Sequence, residues 1–156
     1  MKMQTATFGA GCFWGVEEIF RKTKGVKETS VGYMGGTVRN PSYKDVCTDM
    51  TGHAEVVQIK FVSKEVSYDE ILDVFWDCHN PTTLNRQGLD IGTQYRSVIF
   101  YHDEKQRLLA LKSKEKLEKS GKYKREIVTE IVPASEFYMA EDYHQKYLMK
   151  RRLNVC

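Results

Sequence analysis

The sequence lacks the cysteine spacing of zinc sites, the long apolar runs of membrane proteins and the signal peptides of exported proteins. Its four cysteines include no Cys-x-x-Cys pair, so zinc spacing is absent and we expect no metal. No stretch of about 18 apolar residues occurs, and the N-terminus lacks the apolar run of about 7–15 residues found in signal peptides. We therefore expect a cytoplasmic protein that does not contact the membrane.

The sequence also has little excess of one charge sign over the other. The net charge is +3, and basic residues cluster only over residues 112–125 and 150–152, so no nucleic-acid-binding stripe is expected. Repeats, low-complexity segments and Pro/Gly/Ser linkers are missing as well. A chain of 156 residues with 41% hydrophobic content fits one domain over residues 1–156, which we expect to be a monomer. A cytoplasmic chain of this size needs no stabilising disulfide, so any bridge would be transient and catalytic.

Hydrophobic periodicity predicts alternating strands and helices. Strands are predicted over residues 2–8, 26–33, 54–62, 97–101 and 126–132. Helices are predicted from a Gly9–Gly11 turn to about Gly25, from Ser67 to Asn80, and from Asp103 to Gly121, with loops over 35–53 and 82–95. This order predicts an α+β two-layer sandwich, with a ferredoxin-like (split βαβ) core, a mixed sheet and an irregular C-terminal tail.

Cys12 falls at the junction between the first strand and the first helix. A thiol is nucleophilic only as the thiolate, and unpaired N–H groups at a helix N-terminus lower the pKa of a cysteine from about 8.5. Gly11 and Gly15 fit that tight geometry, while Phe13 and Trp14 offer aromatic walls for a small soft group such as S-methyl. A core cysteine among core aromatics is the alternative, and the flanking glycines favour a nucleophile.

Five segments together resemble the signatures of the A-type peptide methionine sulfoxide reductases. They are GCFWG at residues 11–15, GHAE at 52–55, PTTLNRQG at 81–88, GTQYRS at 92–97 and AEDYHQ at 140–145. The resemblance implies a single catalytic domain that reduces the S epimer of methionine sulfoxide, free or in proteins. It implies no cofactor, with electrons supplied by thioredoxin or another dithiol.

The resemblance also assigns partners to Cys12. Glu55 matches the family's acid, and a carboxyl can donate a proton near pH 7 only if burial raises its pKa. Tyr43 and Tyr95 match two hydroxyl donors for the sulfoxide oxygen, and Asp90 matches a polar residue of the same pocket. The implied cycle leaves Cys12 as a sulfenic acid, which a second thiol converts to a disulfide.

Three other cysteines compete for the resolving role. Cys78 lies on the apolar face of its predicted helix and is interpreted as an inert core residue, while Cys47 lies in a loop after Tyr43. Cys156 is the last residue, where relatives often carry a resolving cysteine and where chains are mobile enough to reach a surface site. We therefore predict one disulfide step, from Cys12 to Cys156.

Departures from the family pattern and two rival functions stay open. Asn80 replaces a usual aspartate, Leu89 replaces a usual asparagine, and residues 48–50 replace a glycine-containing turn. One rival is a thiol hydrolase or acyltransferase in which His53 or His144 is the base. The other rival is a non-catalytic module that binds oxidised methionine through the aromatic pair next to Cys12.

Overall fold

The computed structural model describes residues 2–151, in which six strands form the main sheet and two short strands form a separate hairpin. The strands are β1 (Met3–Ala10), β2 (Val26–Met34), β3 (Ala54–Val62), β4 (Arg86–Gln87), β5 (Asp90–Ile91), β6 (Ser97–Tyr101), β7 (Glu130–Pro133) and β8 (Tyr138–Met139), of which β4 and β5 form the hairpin. The sheet order is β7-β6-β1-β3-β2-β8, in which β7 runs parallel to β6 and all other neighbours are antiparallel. The predicted α+β fold with a split βαβ core and a mixed sheet is confirmed.

In the described part of the chain, three of the five helices begin at a residue whose side chain caps them. The helices are α1 (Phe13–Arg21), α2 (Tyr43–Val46), α3 (Tyr68–Asp77), α4 (Glu104–Lys119) and α5 (Tyr147–Lys150). Ser67 and Glu70 form a reciprocal capping box at the start of α3, and the Asp103 side chain accepts from the Gln106 N–H of α4. Both predicted starts are confirmed. Within residues 2–151, each helix is too short or too polar to cross a bilayer.

Two apolar clusters cover the two faces of the sheet. On β3, Val57, Ile59 and Phe61 face α1 and α3, whereas Ala54 and Val56 face the opposite side. Fully burying each larger side chain stabilises the fold by about 1.5–3 kcal/mol, so a one-residue slip of β3 would be costly. This fixed register places Glu55, which lies two residues before Val57 and so shares its face, on the helix-covered side of the sheet.

Four local predictions differ from the structure. Gly9 and Ala10 continue β1 by pairing with β6, so the turn is confined to Gly11. The last predicted strand begins at Glu130 rather than at residue 126, because the Val128 N–H bonds to the Pro81 carbonyl outside the sheet. The predicted loops contain α2, the β4–β5 hairpin and a 3₁₀ turn at Thr93–Tyr95, which are too short to show periodicity.

Candidate active site

The C-terminal end of β1 carries the catalytic candidates because both of its neighbours are antiparallel to it. Phe8 pairs with Val57 of β3, so continuing the register brings Glu55 opposite the end of β1. Ala10 pairs with Ser97 of β6, which brings the preceding turn with Tyr95 to the other side. Cys12 follows directly in the chain. Residues that are at least 40 positions apart in sequence therefore meet around one thiol.

Cys12 is half-buried at the N-cap of α1, where its φ is −59° and its ψ is 121°. Burial raises the pKa of its thiol to about 11, and the charges of Glu55 and Asp90 act in the same direction. Hydrogen bonds from the Trp14 and Gly15 N–H groups lower it by less. Burial therefore outweighs the lowering by the helix terminus in the resting protein, in which Cys12 is a thiol at neutral pH.

Glu55 is a buried carboxyl next to the start of α1. Its side chain is 1% exposed, and Oε1 accepts the Phe13 N–H at 3.2 Å. Among the described residues, Oε2 has no hydrogen-bond partner. Burial raises the pKa of Glu55 to about 8, with a further contribution from Asp90, while the Phe13 N–H lowers it. At neutral pH this carboxyl therefore carries a proton that it can donate.

Tyr43 and Tyr95 border the same site from two different elements. Burial raises the pKa of Tyr95 to about 12, and the charges of Glu55 and Asp90 raise it further. Burial also raises the pKa of Tyr43, whose hydroxyl lies beside Cys47. Both hydroxyls remain protonated and able to donate. Asp90 is exposed on β5, where its charge acts on Cys12, Glu55 and Tyr95.

The two aromatic residues after Cys12 occupy different depths. Phe13 is 1% exposed and packs against Tyr33 and His144, with ring centroids 5.9 and 5.1 Å away. It therefore lies beneath the site. Trp14 is half-buried, stacks on Tyr147 at 3.8 Å, and donates its indole N–H to His144 Nδ1 at 2.8 Å. Of the pair, Trp14 is the one with surface left for a ligand.

Glu141 is a further residue of the site, for which the AEDYHQ segment alone predicts no role. Its Oε1 accepts the Tyr33 hydroxyl and its Oε2 accepts the Tyr43 N–H, both at 2.9 Å. The carboxylate thus ties β2 to the start of α2 and holds Tyr43 over the site. The motif itself was the available signal, but a carboxylate that binds a backbone N–H has no spacing rule in sequence.

The β4–β5 hairpin packs close to Gly11, the residue before Cys12. A Cβ atom on Gly11 would lie 2.9 Å from Gln87 Cγ, and Gln87 is itself held by two hydrogen bonds to the Asn80 backbone. Leu89 is 96% exposed at the hairpin tip. Asp49 accepts the Thr93 N–H at 2.9 Å and so links the loop over residues 48–50 to the turn before β6. The departures from the family pattern therefore lie at the rim, outside the cluster around Cys12.

The remaining cysteines differ in environment. Cys47 is an exposed free thiol. Cys78 is half-buried at the end of α3, its Sγ donates to the Phe75 carbonyl at 3.2 Å, and burial raises its pKa to about 12, so it is unreactive. Cys156 lies outside the described residues. Over residues 2–151, the structure contains no group of three or more His, Cys, Asp or Glu side chains arranged to hold a metal ion.

The two histidines proposed as hydrolase bases are already engaged. His53 Nδ1 accepts the Gly36 N–H at 2.9 Å, and its Nε2 then donates to the Val38 carbonyl at 2.7 Å. His144 Nδ1 accepts from Trp14. Within the described part of the chain, neither imidazole hydrogen-bonds to Cys12, so the arrangement that a Cys-His hydrolase needs is absent there.

Comparisons with known proteins agree on one family. The family model described as peptide methionine sulfoxide reductase matches residues 4–156. A protein of Methanothermobacter thermautotrophicus named peptide methionine sulfoxide reductase MsrA is 59% identical over 155 residues, covering 99% of this chain and 92% of the relative. Reduced Mxr1 from Saccharomyces cerevisiae superposes with a TM-score of 0.92 at 37% identity, covering 99% of this chain and 89% of Mxr1. Mxr1 in complex with Trx2 matches with a TM-score of 0.66 at 28% identity, covering 94% and 85% of the two chains.

Proposed function

The chain belongs to the peptide methionine sulfoxide reductase family, and from that premise we propose that Cys12 and Glu55 carry its reaction. The protein is an oxidoreductase that reduces methionine sulfoxide to methionine through a disulfide cycle linked to thioredoxin. The observation that supports the residue assignment is the carboxyl of Glu55, which burial keeps protonated beside the Cys12 thiol. A base in this position could not protonate a sulfoxide.

The first step moves one oxygen atom from substrate to enzyme. Cys12 Sγ attacks the sulfoxide sulfur while Glu55 Oε2 gives its proton to the sulfoxide oxygen, and the thiol proton restores the Glu55 carboxyl. The sulfur–oxygen bond breaks and the hydroxyl is transferred to Sγ. Methionine leaves as the thioether, reduced by two electrons, and Cys12 is oxidised to the sulfenic acid. The thiol-plus-acid pair present at neutral pH supplies every proton that this step needs.

The surrounding side chains orient the sulfoxide in this proposal. Tyr43 and Tyr95 donate to the sulfoxide oxygen, where negative charge grows as the bond weakens, and removing such a donor costs about 10²–10³ in kcat. Trp14 forms the wall for the S-methyl group, and Phe13 forms the floor beneath it. Asp90 contributes a polar edge on the exposed side of the pocket.

The second step regenerates Cys12. The sulfenic acid condenses with the Cys156 thiol, releases water and forms a disulfide, which thioredoxin reduces by exchange. The yeast relative's complex with Trx2 supports a thioredoxin partner. The choice of Cys156 is supported by the sequence alone. The S epimer, the use of both free and protein-bound substrate, the monomeric state and the cytoplasmic location stay predictions.

Assays with the separated epimers test the function. With dithiothreitol, the wild type should reduce the S epimer, and Cys12→Ser should reduce neither epimer. One turnover without reductant should leave a Cys12–Cys156 disulfide, which peptide mass spectrometry detects.

Three outcomes would reject parts of the proposal. Equal reduction of the R epimer would reject the stereochemistry, and full thioredoxin-dependent cycling of Cys156→Ser would reject the resolving role. Binding of the sulfoxide without turnover, or ester hydrolysis lost in Cys12→Ser, would favour the rival functions.

A further inference from the structure

His144 is buried between two residues that border the site. Its side chain is 0% exposed, and its ring lies 4.5 Å from the Tyr43 ring at an angle of 56°. Nδ1 accepts the Trp14 indole N–H at 2.8 Å. Within residues 2–151, this is the one hydrogen bond that the imidazole makes. Among the described residues, the side chain of His144 therefore hydrogen-bonds to Trp14 and not to Cys12 or Glu55.

The tautomer of His144 follows from its partner. An indole N–H can only donate, so Nδ1 must be unprotonated and the neutral ring carries its proton on Nε2. Burial lowers the pKa of His144, which keeps the ring neutral near pH 7. The imidazole is thus a fixed acceptor for the Trp14 indole N–H.

Trp14 is held by two contacts that restrain different motions. Its ring stacks on Tyr147 with centroids 3.8 Å apart and planes 6° from parallel. Stacking fixes the plane of the indole but is weakly directional within that plane. The hydrogen bond from Nε1 is directional and restrains rotation within the plane. Together the two contacts select one orientation of the ring.

The position of His144 is itself fixed by the segment around it. His144 ends the 3₁₀ turn Asp142–His144, in which its N–H donates to the Glu141 carbonyl at 2.9 Å. The Gln145 side-chain amide pairs with the backbone of Val31, accepting its N–H and donating to its carbonyl, both at 2.9 Å. The Lys146 N–H donates to the buried Glu17 carboxylate at 2.7 Å. An acceptor anchored in this way moves little when substrate enters.

We infer that His144 is a positioning residue that fixes the in-plane orientation of Trp14 and thereby sets the selectivity of the site for S-methyl over larger S-alkyl sulfoxides. The inference rests on the proposed function, in which Trp14 contacts the S-methyl group. An indole ring held at a single orientation leaves an S-alkyl pocket of fixed width. If the ring of Trp14 could rotate, the pocket would also accept an S-ethyl group.

A double-mutant cycle tests this role. His144→Phe, Trp14→Phe, the double variant and the wild type are assayed with dithiothreitol on the S epimers of methionine sulfoxide and its S-ethyl homologue. Losing one neutral hydrogen bond should raise KM of His144→Phe for the methyl substrate about 5–10-fold with kcat nearly unchanged. The methyl-to-ethyl preference in kcat/KM should fall by a similar factor. In the Trp14→Phe background, adding His144→Phe should change either quantity less than about twofold, because the indole N–H is already gone.

A merely structural role predicts a different pattern. In that case, His144→Phe would lower kcat and thermal stability to the same extent in the wild-type and Trp14→Phe backgrounds, and the methyl-to-ethyl preference would stay intact. That result would overturn the inference. His144→Gln, which retains an acceptor, should recover part of the preference, and failure to do so when the variant is folded also counts against it. If His144→Phe does not fold, His144→Gln replaces it in the wild-type and Trp14→Phe backgrounds, and an equal change of the methyl-to-ethyl preference in both backgrounds would overturn the inference. A wild type that reduces no methionine sulfoxide would instead reject the proposed function.

Discussion

At the scale of single residues, Glu55 links the stability of the protein to its chemistry. An exposed glutamate would be ionised near pH 7 and could not protonate a sulfoxide, whereas burial raises the pKa of this one to about 8. The Cys12 thiol beside it stays protonated for the same physical reason. The proposed reaction starts from this doubly protonated pair, so its pH dependence follows from Glu55.

The pH profile of the wild type should show the ionisation of Glu55. We expect kcat/KM for the S epimer to be flat below about pH 8 and to fall about tenfold per pH unit above it, as the acid form is lost. Glu55→Gln, which retains the acceptor for the Phe13 N–H, should lower kcat about 10²–10⁴-fold and abolish this limb. Steady-state rates between pH 5.5 and 10 in buffers of constant ionic strength measure both effects. A profile that rises to about pH 8 and then levels would mean that the reacting pair holds only one proton.

The same burial should cost stability in a pH-dependent way. In the unfolded chain Glu55 ionises near its ordinary pKa of 4.5, but the folded protein retains the proton up to about 8. The contribution of Glu55 to the free energy of unfolding is therefore fully present below pH 4.5. It is lost as the pH rises through the folded pKa, at up to about 1.4 kcal/mol per pH unit. Glu55→Gln should become progressively more stable than the wild type between pH 5 and 8 in urea unfolding. Parallel stability curves would contradict the raised pKa.

At the scale of elements, the strand-to-helix junction depends on Gly11. Its φ of +97° is a left-handed conformation that side chains rarely adopt, and a Cβ there would lie 2.9 Å from Gln87 Cγ. The contact couples the end of β1 to the hairpin that carries Asp90. A side chain at position 11 would therefore displace the hairpin, the start of α1, or both.

Gly11→Ala should lower activity more than stability. The backbone strain should cost about 1–2 kcal/mol, and the displaced hairpin and helix start should lower kcat/KM at least about tenfold. Gly121→Ala is the matched control, because Gly121 has a φ of +74° but its Cβ would meet nothing within 4 Å. It should show a similar stability loss with activity unchanged. Equal activity losses in the two variants would contradict the proposed coupling.

At the scale of the whole molecule, the six-stranded sheet supports the residues closest to the proposed chemistry, whereas Asp90 lies in the separate β4–β5 hairpin. Cys12 follows β1, Glu55 lies in β3, and Tyr95 precedes β6, while Glu141 ties Tyr43 to β2. The two apolar clusters lie on opposite faces of this sheet, so neither is expected to survive without the other.

Unfolding should therefore be a single transition, as expected of one domain over residues 1–156. Far-ultraviolet circular dichroism reports the sheet and helices, and tryptophan fluorescence reports Trp14 and Trp76. We expect the two urea curves to coincide, with one midpoint and one slope. An intermediate that retains helical signal after the fluorescence change would indicate two folding units.

Sequence reasoning predicted the long elements better than the short ones. β3 and β6 have their predicted bounds, and the capping residues Ser67 and Asp103 begin α3 and α4, because alternation and capping are local properties. The β4–β5 hairpin has only two residues in each strand, and its packing of Gln87 near Gly11 joins residues far apart in sequence, so neither feature leaves a periodic pattern. The sign of the Cys12 pKa shift also depends on tertiary burial, which outweighs the local effect of the helix terminus.

The central claim is that Cys12 takes the oxygen of methionine sulfoxide, and trapping the oxidised thiol tests it most directly. In a variant with Cys47, Cys78 and Cys156 replaced by serine, Cys12 is the sole thiol and its sulfenic acid cannot be resolved within the chain. One turnover of the S epimer with dimedone present should give one equivalent of methionine and a dimedone adduct on the peptide that contains Cys12. Adding Glu55→Gln should slow both products together. Methionine formed at the unmodified rate with no adduct on Cys12 would contradict the account.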